Sequence, residues 1–302
     1  MKMRIKVLIT FFVFMLLICG CSKKIPNYFR KIKIDGRYEV VGRYPISEEM
    51  RDSTICYHFV YNENKKLIKV EHLLKGKLHN RKYEKYAQIL FEYSDEYETR
   101  IFQDSRNRPV AKSEGVYSIR LKLDKNNYYT SLFNYDKQGV LTADHIGVTQ
   151  YLWTLNVNGF RIKSLRINAK GDRIEGNDGF YEVSWKHDDF GNIIETSTFG
   201  TDNQLKESED GFAIMRWKHD DFGNVTENSY YDADEQLKED ENGFAVKRWK
   251  YDEQGICIEI KVYNDTTNLV FKLEYLYDDN GKYIKTVIYD DKGNKIEELD
   301  EK

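Results

Sequence analysis

The sequence predicts an all-β fold: an elongated repeat array of antiparallel β-hairpins with a 32-residue period, seven to eight units long, forming a twisted or spiralling sheet. Three observations carry this expectation. The tryptophans Trp153, Trp185, Trp217 and Trp249 each lie 32 residues after the one before, and a fixed period of roughly 20–50 residues marks units that pack mainly on their neighbours. Glycines keep the same beat: Gly115, Gly147, Gly179, Gly211 and Gly243 open the units, while Gly159, Gly191, Gly223 and Gly255 follow the tryptophans by six residues. Each unit also reads as two strands of period 2 joined by a tight turn, and no apolar stripe of period 3.6 follows the N-terminal segment.

One unit shows the logic. Along 212–219, Ala213, Met215, Trp217 and His219 share one face, and Ile214, Arg216 and Lys218 share the other. Asp220-Asp221-Phe222-Gly223-Asn224 makes the turn, with Gly223 supplying the positive φ that a bulged hairpin needs. The return strand, 225–231, is rich in β-branched and aromatic residues. A polar connection, 232–242, leads to the next Gly-Phe. Turns this short impose antiparallel pairing. Regular repeats fill 115–302, and degenerate ones fill 37–114. In the latter, Phe91 takes the Trp place at 86–114 and Tyr61 marks a copy at 55–85. Tyr275–Gly281 repeats Trp249–Gly255 after 26 residues, so the last unit is short, as terminal repeats often are. Pro26, Pro45 and Pro109 fall outside the clear strands.

Residues 1–20 read as a signal segment. Lys2, Arg4 and Lys6 precede an apolar run, 7–18, that is shorter than the about 20 residues a membrane span requires. The stretch Leu17-Ile18-Cys19-Gly20-Cys21-Ser22 resembles the lipobox of bacterial lipoproteins, with Cys19 at a place usually held by Ala, Ser or Thr. The resemblance implies that Cys21 is the lipidated (palmitate-type acylated) first residue of the mature chain. It further implies that 21–36 form a lipid-anchored tether and that the protein sits in the bacterial cell envelope. In a diderm source the outer membrane is favoured, because no acidic residue follows Cys21. Two or more acyl chains, at about 0.8 kcal/mol per buried methylene, anchor stably. Residues 22–85 hold 16 Lys/Arg against 8 Asp/Glu, a net of +8 that suits an anionic membrane surface. The remainder is acidic, which argues against a nucleic-acid partner. Cys56 and Cys257 lie 201 residues apart. A stack rising about 9.5 Å per two-stranded unit keeps them far beyond disulfide reach.

Tyr231-Asp232, Tyr251-Asp252, Tyr277-Asp278 and Tyr289-Asp290, each followed by a turn, resemble the Tyr-Asp repeats of RHS-type bacterial proteins. Tyr289-Asp290-Asp291-Lys292-Gly293-Asn294 resembles the hairpin repeats of MORN-like bacterial proteins. The likeness covers 55–302 and implies an extended antiparallel sheet without any particular activity.

The candidate site residues are the tryptophans Trp153, Trp185, Trp217 and Trp249. Equivalent positions stand about 9.5 Å apart, beyond the 4.5–7 Å of aromatic pairing, so a return-strand side chain must lie between successive rings. The row reads first as a support for the fold. Its functional reading is a line of aromatic platforms for a glycan. The acidic turns, such as Asp188-Asp189 and Asp220-Asp221, follow turn chemistry rather than a Ca²⁺ loop. His187 and His219, two strands apart, cannot share a zinc ion. With no nucleophile, metal or phosphate motif, the expectation is no enzyme, no cofactor and no metal. The function expected is a membrane-anchored, non-catalytic scaffold that binds protein or glycan. The alternatives are a structural spacer without a specific ligand, or an immunity or antitoxin-like protein. A hydrolase would need a pocket that breaks the repeat, within 37–114.

Overall fold

The computed structural model describes residues 26–81, 85–208, 210–278 and 282–300; the signal segment and Cys21 lie outside them. Twenty strands form one sheet, antiparallel throughout. β1 (Tyr28–Ile34) and β2 (Val40–Ile46) make an N-terminal hairpin. β3 (Ile55–Tyr61) pairs with β4 (Leu67–Leu74), on which the two-residue β5 (Lys77–Leu78) folds back. The next two units are β6 (Gln88–Tyr93) with β7 (Tyr97–Gln103), and β8 (Ser118–Leu123) with β9 (Tyr129–Tyr135). The first two tryptophan units are β10 (Gln150–Leu155) with β11 (Arg161–Ile167), and β12 (Glu182–His187) with β13 (Ile193–Phe199). The other two are β14 (Ile214–His219) with β15 (Val225–Tyr231), and β16 (Val246–Tyr251) with β17 (Cys257–Tyr263). β18 (Leu269–Tyr277) with β19 (Tyr283–Asp290) is the eighth unit, and β20 (Lys295–Asp300) ends the sheet.

The turn chemistry is the one the sequence predicts. Asp220 Oδ1 accepts the amides of Phe222 and Asn224, at 3.0 and 2.8 Å. Gly223 has φ +77°, and the pairing skips one residue between Lys218 and His219, which is a β-bulge. Asp188 and Asp252 repeat the arrangement. Oδ1 of each turn aspartate is thus engaged by backbone N–H groups of its own turn, and Oδ2 of Asp188 and Asp220 accepts the side-chain amides of Asn192 and Asn224. Cys56 and Cys257 are both free thiols, and burial pushes the Cys56 thiol up to about 11.

Successive units place Phe59, Phe91, Leu121 and Trp153 at one structural position. All four are buried in a single apolar cluster with Phe29 and Val40 of the N-terminal hairpin. Phe59, rather than Tyr61, holds the Trp place in the first unit. The bulge falls at Tyr61, which therefore matches His187. Beyond Trp153 the row is only half-buried, at Trp185, Trp217 and Trp249.

Residues 21–36 do not all serve as a tether, since 28–34 form β1. Tyr28 and Phe29 pair with β3, and Phe29 and Ile32 join the apolar cluster. Pro45 lies within β2, a strand paired only along β1, where a missing N–H breaks no second ladder.

The hairpin also reaches units far along the chain. Arg37 Nε donates to Asn158 O at 2.9 Å, and Gly36 N donates to Gly191 O at 3.2 Å. Lys33 hydrogen-bonds Asn192, Tyr44 bonds Asn224, and Lys31 lies 4.9 Å from the centre of the Tyr251 ring. At about 4.8 Å per strand a flat sheet would hold β1 and β16 roughly 60 Å apart. The sheet therefore curls, and the hairpin lies across the turn tips of four successive units. Within the hairpin itself the strands are closely packed, because a Cβ on Gly42 would stand 2.3 Å from Cγ of Phe29. Gly42→Ala is expected to cost about 1–3 kcal/mol by overpacking. An unchanged urea midpoint would contradict that.

Candidate functional site

The bulge that closes each hairpin also aims side chains. Between β10 and β11 the pairing passes from Thr154–Lys163 directly to Leu155–Arg161. The extra residue turns Arg161 onto the face that carries Trp153 and Ser164, as bulges at sheet positions commonly do. Its guanidinium carbon lies 4.9 Å from the Trp153 ring centre and 5.1 Å from that of Trp185. Together these distances match the two-strand repeat of about 9.5 Å. Arg161 is thus the return-strand side chain expected between two tryptophans. A third ring closes over it: Tyr38, from the β1–β2 turn, is 4.6 Å from the guanidinium and 4.9 Å from Trp153. Tyr38 is held at φ +69°, an uncommon value for a bulky residue. Its turn is fixed by Asp35 Oδ1, which accepts the amides of Arg37 and Glu39 at 2.9 Å.

These residues line a cavity of about 340 Å³. Its floor is one face of β9 to β12, where the cross-strand rows run Leu132–Tyr151–Arg166 and Trp153–Ser164–Val183. The rim adds Lys112 from the β7–β8 connection and Asp144 from the β9–β10 connection.

Charge in the cavity is unbalanced. Arg161 is 8 % exposed. Its only side-chain hydrogen bond is a long one, Nε to Gly36 O at 3.4 Å, and no carboxylate pairs with it among the described residues. Burial brings its pKa down to about 10. The neighbouring Arg100 is neutralised by Glu98 at 2.6 Å, and Glu98 also accepts the Tyr129 hydroxyl. Burial alone would raise the Tyr38 phenol, but Lys112, Arg100 and Arg161 outweigh it and hold the group below its usual value. Asp144, the one carboxylate lining the cavity, is already engaged: it accepts the amides of Ile146 and Val148 and the Tyr151 hydroxyl.

Two buried polar atoms in the lining have no hydrogen-bond partner among the described residues, Ser164 Oγ and Arg166 Nε. Their residues are 2 % and 4 % exposed. The rest of the Arg166 guanidinium is bound to Asp178 and to Phe180 O. Orphaned buried donors carry a desolvation cost of about 1–3 kcal/mol each unless a ligand or water satisfies them. Chemically the cavity offers cations, free donors and aromatic faces, and it lacks a free carboxylate.

The four tryptophans divide. Trp153 and Trp185 line the cavity, while Trp217 and Trp249 do not. The residues that motif reading missed are Tyr38, Lys112, Arg161, Ser164 and Arg166. One signal was present in the chain. Position 161 of the repeat is Ile193, Val225 and Cys257 in later units, so an arginine there departs from the pattern. Among the described residues no group of three or more His, Cys, Asp or Glu is placed to hold a metal ion.

His187 lies against Gly36 of the hairpin, and His219 one unit further on lies near Lys33. Neither His187 ring nitrogen has a partner, nor does Nδ1 of His219. Burial, with Arg161 and Lys33 nearby, holds His187 below the ordinary histidine value despite Asp188 and Asp35. Burial and Lys33 do the same to His219 against Asp188 and Asp220. The unfolded chain titrates near about 6.5. As pH falls through that value, the unfolded state gains protons that the folded state resists, so stability declines until the lower folded pKa is passed. We expect a lower melting temperature at pH 5.5 than at pH 7.5 (test conditions chosen about one unit either side of the free value). A His187→Phe/His219→Phe chain should lose part of that difference, with His72, which burial also holds low, keeping the rest; an equal drop in both chains would contradict it.

No protein-family model and no curated sequence matches the chain. Solved structures similar to it include the Photorhabdus luminescens Tc holotoxin pore, at 10 % identity and TM-score 0.35, covering 86 % of this chain and 15 % of that one. A porin-like protein from Bacteroides uniformis is similar at 10 % identity and TM-score 0.30, covering 81 % of this chain and 86 % of that one. TcdB2-TccC3-TEV is similar at 12 % identity and TM-score 0.16, covering 78 % and 18 %. The chain thus spans 15 % of the length of the Tc holotoxin chain that it matches. Likenesses this distant bear on neither mechanism nor ligand.

Proposed function

We propose that this protein is a lipid-anchored binding scaffold of the bacterial cell envelope, held by acyl chains on Cys21, and that its ligand is a glycan taken up by the cavity beneath Tyr38. The observation that carries the reading is the pair of unpartnered buried donors, Ser164 Oγ and Arg166 Nε, in an aromatic cavity beside an unpaired Arg161. A spacer without a ligand has no use for such a set, because buried polar groups left unsatisfied only destabilise. A protein partner is the weaker alternative, since a cavity of about 340 Å³ fits the lower range of small-ligand sites, about 300–1,000 Å³.

Binding without catalysis is supported by the acids present. Glycoside hydrolysis generally needs two carboxyl groups facing the bond, about 5–10 Å apart. The cavity lining supplies only Asp144, whose oxygens are engaged by backbone amides and Tyr151. The strand repeat supplies a stiff frame on which the bulge at Arg161 and the hairpin tip at Tyr38 hold fixed positions, as a preformed site requires.

Two experiments test the reading. The full chain in detergent, displayed to a glycan array, is expected to retain a defined subset of glycans and to lose it on Trp185→Ala; no retention at all would contradict the proposal. Metabolic labelling with palmitate is expected to mark the parent chain and not Cys21→Ser. Equal labelling of both would remove the anchor from the account.

A further inference from the structure

The cavity also indicates which kind of sugar it takes. We propose that it binds a single carboxylate-bearing sugar, a uronic acid residue at a chain end or branch, with the carboxylate on Arg161 and Lys112 and the ring against Trp185. The inference rests on the glycan-binding reading above and narrows it to a charge class and a number of sites.

The charge comes from groups left over once every internal pair is made. Glu98 is paired with Arg100 and Asp178 with Arg166; Asp144 keeps its charge, but its oxygens are bound by its own turn amides and Tyr151, and the two cations Arg161 and Lys112 outnumber it. Arg161 and Lys112 remain without a carboxylate among the described residues, and Ser164 Oγ and Arg166 Nε add neutral hydrogen-bonding capacity beside them. A planar guanidinium matches a carboxylate in two parallel hydrogen bonds, the geometry that makes arginine the usual reader of this group. Trp185 is only half-buried where Trp153 is covered, so it is the ring that still presents surface to a ligand.

The number of sites follows from the repeat. In the later tryptophan units Ile193, Val225 and Cys257 stand where Arg161 stands, and Thr196, Asn228 and Ile260 stand where Ser164 stands. Tyr38 closes over one unit only. On the strands themselves no later tryptophan unit repeats that arginine, and the hairpin's Lys33 and Lys31 are engaged by Asn192 and Tyr251. The Arg161–Lys112 pair therefore occurs once and reads one charged residue.

The test is calorimetric titration of the full chain in detergent with digalacturonic acid, its dimethyl ester and tetragalacturonic acid. The proposal predicts one site per chain for the dimer, at least tenfold weaker binding of the neutral ester, and a tetramer affinity close to that of the dimer. It also predicts at least tenfold weaker dimer binding by both Arg161→Met and Lys112→Met. Lys112 is exposed, so that variant keeps its fold even if Arg161→Met does not. Ester and acid binding alike would overturn the charge assignment while leaving glycan binding in place. Binding of none of the three sugars would overturn both. Affinity or site number rising with chain length would overturn the single-site claim, as would parent-like binding by either variant.

Discussion

Replacing Trp153 with alanine lowers the stability of the chain by about 3–5 kcal/mol, the range for deleting a buried aromatic side chain and leaving a cavity. Trp153 is 9 % exposed and belongs to the apolar cluster that joins β3–β10 to the N-terminal hairpin. Its loss removes the surface under both Tyr38 and Arg161. Trp249→Ala, at a half-buried position outside that cluster, should cost about half as much, in line with its smaller burial. Urea denaturation of the two variants separates these cases, provided the slope against denaturant stays that of the parent. Equal costs at the two positions would show that the row is a uniform ladder and that the hairpin adds nothing to it.

Glu98→Leu is expected to be comparably damaging, at about 3–5 kcal/mol, because breaking a buried ion pair leaves the surviving charge unpaired. Glu98 and Arg100 are each 3 % exposed and meet at 2.6 Å. Removing the carboxylate strips the buried Arg100 of its ion-pair partner beside Arg161 and Lys112, and deprives the Tyr129 hydroxyl of its acceptor. Glu175→Leu, which breaks the 40 %-exposed surface pair with Lys206, should leave the urea midpoint nearly unchanged, as exposed pairs contribute little. If Glu98→Leu behaves like Glu175→Leu, the basic surroundings of Tyr38 are not real in solution.

The repeat unit was legible because its signals are local. The period-2 faces, the Asp220–Asn224 turn, the positive φ of Gly223 and the return strand 225–231 all follow from residues within one unit. The spacing of the tryptophans also requires a side chain between successive rings, where Arg161 stands. The hairpin was not legible. Its stretch 21–36 carries the charges of a solvated tether. Lys31 and Lys33 find partners in Tyr251 and Asn192, more than 150 residues away in sequence. The cavity was hidden for the same reason. Tyr38, Lys112 and Arg161 come from three distant segments, and what brings them together is the curl of the sheet, which no local pattern encodes.

The central claim is that the tryptophan row is architecture along most of its length and becomes a site only where the hairpin tip meets it. Indole N–H resonances of the four tryptophans, followed by NMR while digalacturonic acid is added to the full chain in detergent, test it most directly. The account predicts shifts at Trp153 and Trp185 and none at Trp217 and Trp249. Comparable shifts at all four would make the row a continuous platform, and shifts at none would leave the cavity without this ligand; either result contradicts the account.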